Sequence, residues 1–132
     1  MRLLIAAISG FGKSYIAQAY IEKNLPEYDH TVILDYKDEF RGLVKAGLAD
    51  YVAVGNREAG ISVDGWRRVI EGNESIIVCR AGLDPDQWRE VATTIASAAR
   101  NVDGRVLIAV DEAHFVAPQD VKLPQPIKLL AT

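Results

Sequence analysis

The stretch LLIAAISGFGKSYIAQAYI, residues 3–21, decides the fold class, because an apolar run, a short loop and a helical pattern follow one another directly. The run from Leu3 to Ile8 is too short for a buried helix and predicts a strand. After the loop, four apolar or aromatic side chains recur at intervals of three and four residues, which predicts a helix. A strand, loop and helix in this order are typical of α/β proteins. The four side chains are Ile16, Ala17, Tyr20 and Ile21.

The rest of the chain repeats this alternation of short apolar runs with stretches of helical period. Because the runs are apolar throughout, each strand is expected to be buried on both faces, as in a parallel sheet between two layers of helices. The predicted fold is therefore a three-layer α/β domain. The further predicted strands are Thr31 to Leu34, Tyr51 to Val54, Ser75 to Cys79 and Arg105 to Val110.

The predicted helix over residues 85–100 has the clearest boundaries. Asp84 is placed to cap its amino end, Pro85 occupies the first turn, and Gln87 completes a capping box. Two shorter helices are predicted from a capping residue at the start and a glycine at the end. The cap and end are Asp38 and Gly47 for the first, and Ser62 and Gly72 for the second.

Length and charge limit the possible classes of protein. With 132 residues, 49% of them hydrophobic, the whole chain (1–132) is predicted to form a single domain with a substantial core. The formal net charge of -3 excludes bulk attraction to nucleic acid, so such contact needs a local patch or several subunits. The one cysteine, Cys79, lies within the apolar run Ile76-Ile77-Val78-Cys79 and is predicted to be a core residue.

The amino-terminal apolar run bears on the expected location of the protein. It is too short to cross a membrane, and no basic region of the kind found in a signal peptide precedes it. A single cysteine also cannot form an internal disulfide, which fits a reducing compartment. The expected location is the cytoplasm, or the cytoplasm of the host if the protein is viral.

Residues 7–14, named here the phosphate-loop motif, approach the pattern G-x-x-x-x-G-K-[ST], with Ala7 in place of the first glycine. Between a strand and a helix, the backbone N–H groups of residues 10–14 would converge at the positive end of the helix dipole and bind a phosphate. Lys13 is predicted to reach the β- and γ-phosphates, and Ser14 to bind Mg²⁺. The predicted nucleotide-binding residues are Gly10, Phe11, Gly12, Lys13, Ser14 and Tyr15.

A second motif, RVLIAVDEAHF at residues 105–115, is an apolar strand that ends in two adjacent carboxylates. In an open parallel sheet, ligands bind at the carboxyl ends of the strands, where the phosphate-loop motif also opens. Asp111 is therefore predicted to hold Mg²⁺, and Glu112 to polarise the water that attacks the γ-phosphate. The alternative is a pair of solvated acids at a strand end.

Three stretches together resemble the HerA/FtsK superfamily of P-loop ATPases, which includes archaeal HerA-type proteins and viral genome-packaging ATPases. They are the phosphate-loop motif, VILDYKDEF at 32–40 and VLIAVDEAHFVAP at 106–118. In that family the second strand ends in an aspartate followed by an acidic-aromatic pair, as Asp35, Glu39 and Phe40 do here. The resemblance implies a RecA-like fold, ATP and Mg²⁺ as cofactors, and a homo-oligomeric, usually hexameric ring that moves DNA.

The chain departs from the family pattern after the second motif. Family members carry a further strand with a polar sensor residue, and later an arginine that completes the neighbouring active site; neither is recognisable here. The stretch PIKLLAT at 126–132 resembles the start of the helix that leads to the sensor strand, which implies an incomplete core. In the family this strand lies between the strands that carry the two motifs, so its loss predicts a central gap or an altered strand order.

Several residues have two interpretations. Asp35 and Glu39 support the nucleotide site or an adjacent subunit, or Asp35 caps the following turn. Arg80, just past a strand end, contacts phosphate or a neighbouring subunit, and His114 is a catalytic residue or an ordinary loop residue. The cluster Trp66-Arg67-Arg68 is a nucleic-acid patch, or else a core tryptophan beside solvated arginines, which the helical stripe favours.

The primary hypothesis is an Mg²⁺-dependent ATPase in an oligomeric DNA translocase. A nucleotide-binding module that does not hydrolyse is the alternative that the missing sensor and arginine favour. A DEAH-box-type helicase core, suggested by Asp111-Glu112-Ala113-His114, is the third. It predicts a Ser-Ala-Thr-like motif and a second domain, neither of which this sequence shows.

Overall fold

The computed structural model of the protein describes residues 3–8, 21–38, 40–111 and 127–130. Within these residues, six strands form one sheet in which every neighbouring pair is parallel. The strands are β1 (Leu3–Ile8), β2 (His30–Asp35), β3 (Asp50–Val54), β4 (Ser75–Arg80), β5 (Val106–Asp111) and β6 (Ile127–Leu130). Their order across the sheet is β3-β4-β2-β5-β1-β6.

The first five strands confirm the predicted ones, with ends that agree to within one residue. All six residues of β5 are buried, as are five of the six in β2 and in β4. A strand covered on both faces has no polar face to show, so the continuous apolar runs in the sequence correctly predicted a parallel sheet between two layers.

The described residues include three α-helices, α1 (Arg41–Lys45), α2 (Val63–Glu71) and α3 (Pro85–Ala99). Residues 21–24 are also helical and continue into a short 3₁₀ helix, Leu25–Glu27; a second one is Glu58–Gly60. The predicted cap of α2 is confirmed, because Ser62 Oγ accepts the Gly65 N–H at 3.0 Å. The capping box of α3 is also confirmed: the Gln87 N–H donates to Asp84 Oδ1 at 2.8 Å, and the Asp84 N–H to Gln87 Oε1 at 3.0 Å.

The prediction that Asp38 caps the next helix was wrong. Helix α1 begins at Arg41 with Phe40 in the capping position. Asp38 has a φ of 60°, in the left-handed region, and both its carboxylate oxygens accept from Arg41 Nε at 2.9 Å. The charged guanidinium three residues further on binds the carboxylate, and the helix N–H groups therefore do not.

The two faces of the sheet carry separate cores. One face packs against α2 and α3, with the fully buried Trp66 and Trp88 at its centre. The other packs against α1 and the helical residues 21–24, through Phe40, Leu43 and Ile21. Successive strand residues alternate between these cores. Cys79 is 4% exposed, which confirms its predicted place in the interior.

The prediction that the chain enters a helix at residues 126–132 was wrong, since Ile127–Leu130 is strand β6 and pairs with β1. An open strand edge presents unpaired N–H and C=O groups, and pairing of the main chain with them outweighs a weak helical pattern. The sequence predicts either a gap at the centre of the sheet or an altered strand order, and the structure has the altered order. In it, β1 pairs directly with β5 from Leu3↔Val106 to Ile8↔Asp111.

No helical segment in the described part of the chain has both the length and the apolar character that a bilayer crossing requires.

Candidate functional site at the carboxyl edge of the sheet

Three of the predicted site residues lie within the described residues: Asp111, Asp35 and Arg80. Each is the last residue of a strand, so all three lie at the carboxyl edge of the sheet. The remaining predictions fall outside the described residues. These are Gly10, Phe11, Gly12, Lys13, Ser14, Tyr15, Glu39, Glu112 and His114.

Asp35 and Asp111 end neighbouring strands at the same level. The register Leu34↔Val110 places each of them one step further along its strand. Both belong to the face that packs against α1, because Ile33 and Ala109, two residues earlier, lie in that core. Asp35 is 0% exposed and Asp111 is 5% exposed. Two buried carboxyl side chains therefore lie side by side at this edge.

The Asp111 carboxylate is bonded to the turn that follows β2. Its Oδ2 accepts the backbone N–H of Lys37 at 3.3 Å. On the other side of Asp111, the register Ile8↔Asp111 places the end of β1 directly next to it. The chain continues from Ile8 into the rest of the phosphate-loop motif, so the ends of the two strands that carry the predicted motifs lie side by side.

The Asp35 carboxylate stabilises the connection between β2 and α1. Its Oδ2 accepts the N–H of Phe40 at 3.1 Å in a buried hydrogen bond. This is the interpretation in which Asp35 caps the following turn. Because Phe40 is itself fully buried, the bond fixes the point at which the chain re-enters the core.

Arg80 is held by neighbours in its own chain. Its guanidinium carbon lies 4.1 Å from the centroid of the Tyr36 ring, and its Nη1 donates to the Leu83 carbonyl. Tyr36 in turn meets Trp88 edge-on, with ring centroids 6.0 Å apart. Arg80 follows Val78 on the face that packs against α2 and α3, two strands away from Asp111. The structure therefore does not bring Arg80 and Asp111 together.

Sequence reasoning missed a group of interacting polar side chains on the side of the sheet that packs against α1. Its members are Asp38, Arg41, Tyr51 and Cys79. The Arg41 hydrogen bond holds the pKa of the Asp38 carboxyl below its ordinary value. A hydrogen bond with the Cys79 thiol, together with burial, raises the pKa of Tyr51 to about 12, and burial raises the pKa of Cys79. The alternation of residues along β3 and β4 would have placed Tyr51 and Cys79 on one face. The Lys37 N–H left no signal, because every residue except proline has one.

The donor chemistry of Asp111 fits a magnesium site of the nucleotide-binding kind. Mg²⁺ prefers oxygen ligands and is held in such sites by one or two carboxylates together with phosphate oxygens. The described residues contain no group of three or more His, Cys, Asp or Glu that could hold a metal ion by themselves. Asp111 would therefore be one ligand of such an ion and not its whole site.

The Trp66-Arg67-Arg68 cluster consists of a core tryptophan beside solvated arginines, which is the interpretation that the helical pattern favours. Trp66 is fully buried, while Arg67 pairs with Asp64 at 2.6 Å and with Glu71 at 3.1 Å. Arg68 pairs with Asp64 at 2.8 Å. These residues therefore do not form an aromatic-basic platform for nucleic acid.

Comparison of the chain with protein-family models, with curated proteins and with solved structures finds no match. The functional interpretation therefore depends on the two motifs and on the geometry of the carboxyl edge. The central feature of that geometry is the alignment of the β1 and β5 ends.

Proposed function

We propose that the chain is an Mg²⁺-dependent P-loop ATPase domain of HerA/FtsK type that works in an oligomeric DNA-translocating motor. The observation that carries the nucleotide site is the register Ile8↔Asp111, which aligns the strand leading into the phosphate-loop motif with the strand ending in Asp111. Ligands of open parallel sheets bind at this edge. DNA and the ring come from the family resemblance alone.

The proposed roles follow from the chemistry of each side chain. The backbone of Gly10 to Tyr15 binds the phosphates, and Lys13 neutralises charge on the β- and γ-phosphates. Asp111, together with Ser14, holds Mg²⁺, which when bound neutralises charge developing on the transferred phosphate. Glu112 accepts a proton from the attacking water.

The order of the sheet gives the resemblance no support. In the order that the resemblance implies, one strand separates the two motif strands, whereas β1 and β5 pair directly. What supports the nucleotide site is the position of the two strand ends, and not the sheet as a whole.

A nucleotide-binding module without hydrolysis is the second candidate, and the contacts of Arg80 favour it. Its guanidinium is held by Tyr36 and by the Leu83 carbonyl of its own chain, which leaves it less available to the phosphates of a neighbouring subunit. An arginine that stabilises the transition state contributes a factor of about 10³ or more to hydrolysis. Without one, nucleotide binding survives and turnover falls.

Binding and hydrolysis of Mg²⁺-ATP, measured with and without DNA, test both candidates. Lys13→Ala is expected to lose binding, and Glu112→Gln to bind but not hydrolyse. Lys23→Ala removes an exposed lysine from the helical residues 21–24 and should match the wild type. DNA-stimulated hydrolysis supports the motor, and binding without turnover supports the second candidate. Absence of binding, or equal binding by the two lysine variants, overturns the nucleotide site.

A further inference from the structure

The turn Tyr36–Asp38 joins the two buried aspartates of the carboxyl edge. It follows Asp35 directly, and the N–H of Lys37 donates to Asp111 Oδ2 at 3.3 Å. The two bonded residues are 74 positions apart in the chain, so this contact exists only because β2 and β5 are neighbours.

Two aspartates hold the turn in place. Asp35 accepts the N–H of Phe40 beyond the turn, and Asp38 binds Arg41 through both carboxylate oxygens. Asp38 also has a φ of 60°, a conformation that persists in residues other than glycine where neighbouring contacts maintain it. The direction of the Lys37 N–H is therefore fixed from both sides.

The turn also contacts the opposite face of the sheet. The Tyr36 ring lies beneath Arg80 and meets Trp88 of α3 edge-on. A movement of the turn relative to Asp111 would thus alter the surroundings of the Trp88 indole. Trp66, in α2, makes no described aromatic contact with the turn and offers an internal reference.

We propose that the turn Tyr36–Asp38 is a positioning element for Asp111, with the Lys37 N–H as the group that orients its carboxylate toward Mg²⁺. This rests on the proposed nucleotide site. Asp35 and Asp38 act through the turn. Groups that orient a metal ligand in this way typically change metal affinity by about tenfold or more when they are removed.

The test uses ¹⁵N-labelled protein and the slowly hydrolysed analogue ATPγS, with Mg²⁺ titrated into the nucleotide complex. The resonances of the Lys37 amide and the Trp88 indole are expected to shift with Mg²⁺, while the Trp66 indole shifts little. Asp38→Ala is expected to weaken the apparent Mg²⁺ affinity about tenfold and to leave metal-free nucleotide binding unchanged.

Two further variants keep the outcome interpretable. Asp38→Asn keeps an oxygen acceptor and a residue type that tolerates positive φ, so it should restore most of the Mg²⁺ affinity. Asp64→Ala removes another arginine-paired aspartate, on α2, and should behave as the wild type. If Asp38→Ala does not fold, the resonance shifts in the wild type and in Asp38→Asn provide the test.

The failures are distinguishable. If Mg²⁺-ATPγS binds while the Lys37 and Trp88 resonances stay in place and Asp38→Ala has wild-type Mg²⁺ affinity, the positioning role is overturned and the nucleotide site stands. If ATPγS does not bind with or without Mg²⁺, the proposed function fails, and the positioning role fails with it.

Discussion

Asp35 and Phe40 are joined by a buried hydrogen bond in which the Phe40 N–H donates to Asp35 Oδ2 at 3.1 Å. Both side chains are fully buried. Removing the acceptor leaves this N–H without its bond, at a cost of about 1–3 kcal/mol. We expect Asp35→Ala to lower the free energy of unfolding by about this amount in urea denaturation.

Asp35→Asn keeps an oxygen near the Phe40 N–H and should lose less stability than Asp35→Ala. The control is Asp50→Ala, which removes an exposed aspartate at the start of β3 and should change stability by no more than about 0.5 kcal/mol. If Asp35→Ala is as stable as this control, the hydrogen bond does not hold the connection between β2 and α1.

Helix α3 allows a matched comparison of two aspartates. Asp84 accepts the Gln87 N–H at the amino end, and Asp86 forms an exposed ion pair with Arg89. Loss of a capping residue costs about 1 kcal/mol, whereas an exposed pair contributes about 0–1 kcal/mol. Asp84→Ala should therefore lower the thermal midpoint clearly more than Asp86→Ala. Equal losses would contradict a capping role.

The sequence predicted those features that have a local signal. Asp84 and Ser62 precede helices and are followed by suitable partners, so their caps were predicted correctly. Asp38 also precedes a helix, but its carboxylate could bind either helix N–H groups or Arg41. The outcome depends on the left-handed backbone of the turn, which Asp adopts more readily than most residues.

Stability should fall in alkaline solution because of two groups on one face of the sheet. Burial raises the pKa of the Cys79 thiol above its ordinary value of 9.0, and a hydrogen bond with that thiol raises the pKa of Tyr51 to about 12. Between their unfolded and folded pKa values, the unfolded chain releases protons that the folded protein retains. The free energy of unfolding therefore falls as the pH rises from 9 toward 12.

The urea midpoint checks this expectation when it is measured at several pH values between about 8 and about 11. This range begins below the ordinary pKa of a thiol and ends well above it. Cys79→Ala removes one titrating group and the hydrogen bond to Tyr51, so its midpoint should decline less steeply than that of the wild type. Parallel declines for the two proteins would show that Cys79 does not contribute to the alkaline loss.

Contacts between main chain and distant side chains were beyond prediction. Residue type does not reveal that the Lys37 N–H meets Asp111, because the contact requires the strand order. The same holds for β6, whose short apolar run fits either a helix or a strand until the edge of β1 is available to it. For the phosphate-loop motif the situation is the opposite. Its residue types alone predict a nucleotide site, and most of the motif lies outside the described residues.

Substitution of Arg80 distinguishes a structural role of this residue from a role in binding phosphate. Its guanidinium lies over Tyr36, and stacking of this kind contributes about 1–2 kcal/mol when shielded from solvent. We expect Arg80→Ala to lower the free energy of unfolding by about that amount and to leave the affinity for ATP without Mg²⁺ unchanged, since Arg80 and Asp111 lie on opposite faces. Arg80→Lys keeps the charge and loses the planar stack, so it should be nearly as unstable as Arg80→Ala. A tenfold or larger loss of nucleotide affinity in Arg80→Ala, restored by the lysine, would instead assign Arg80 to the phosphates.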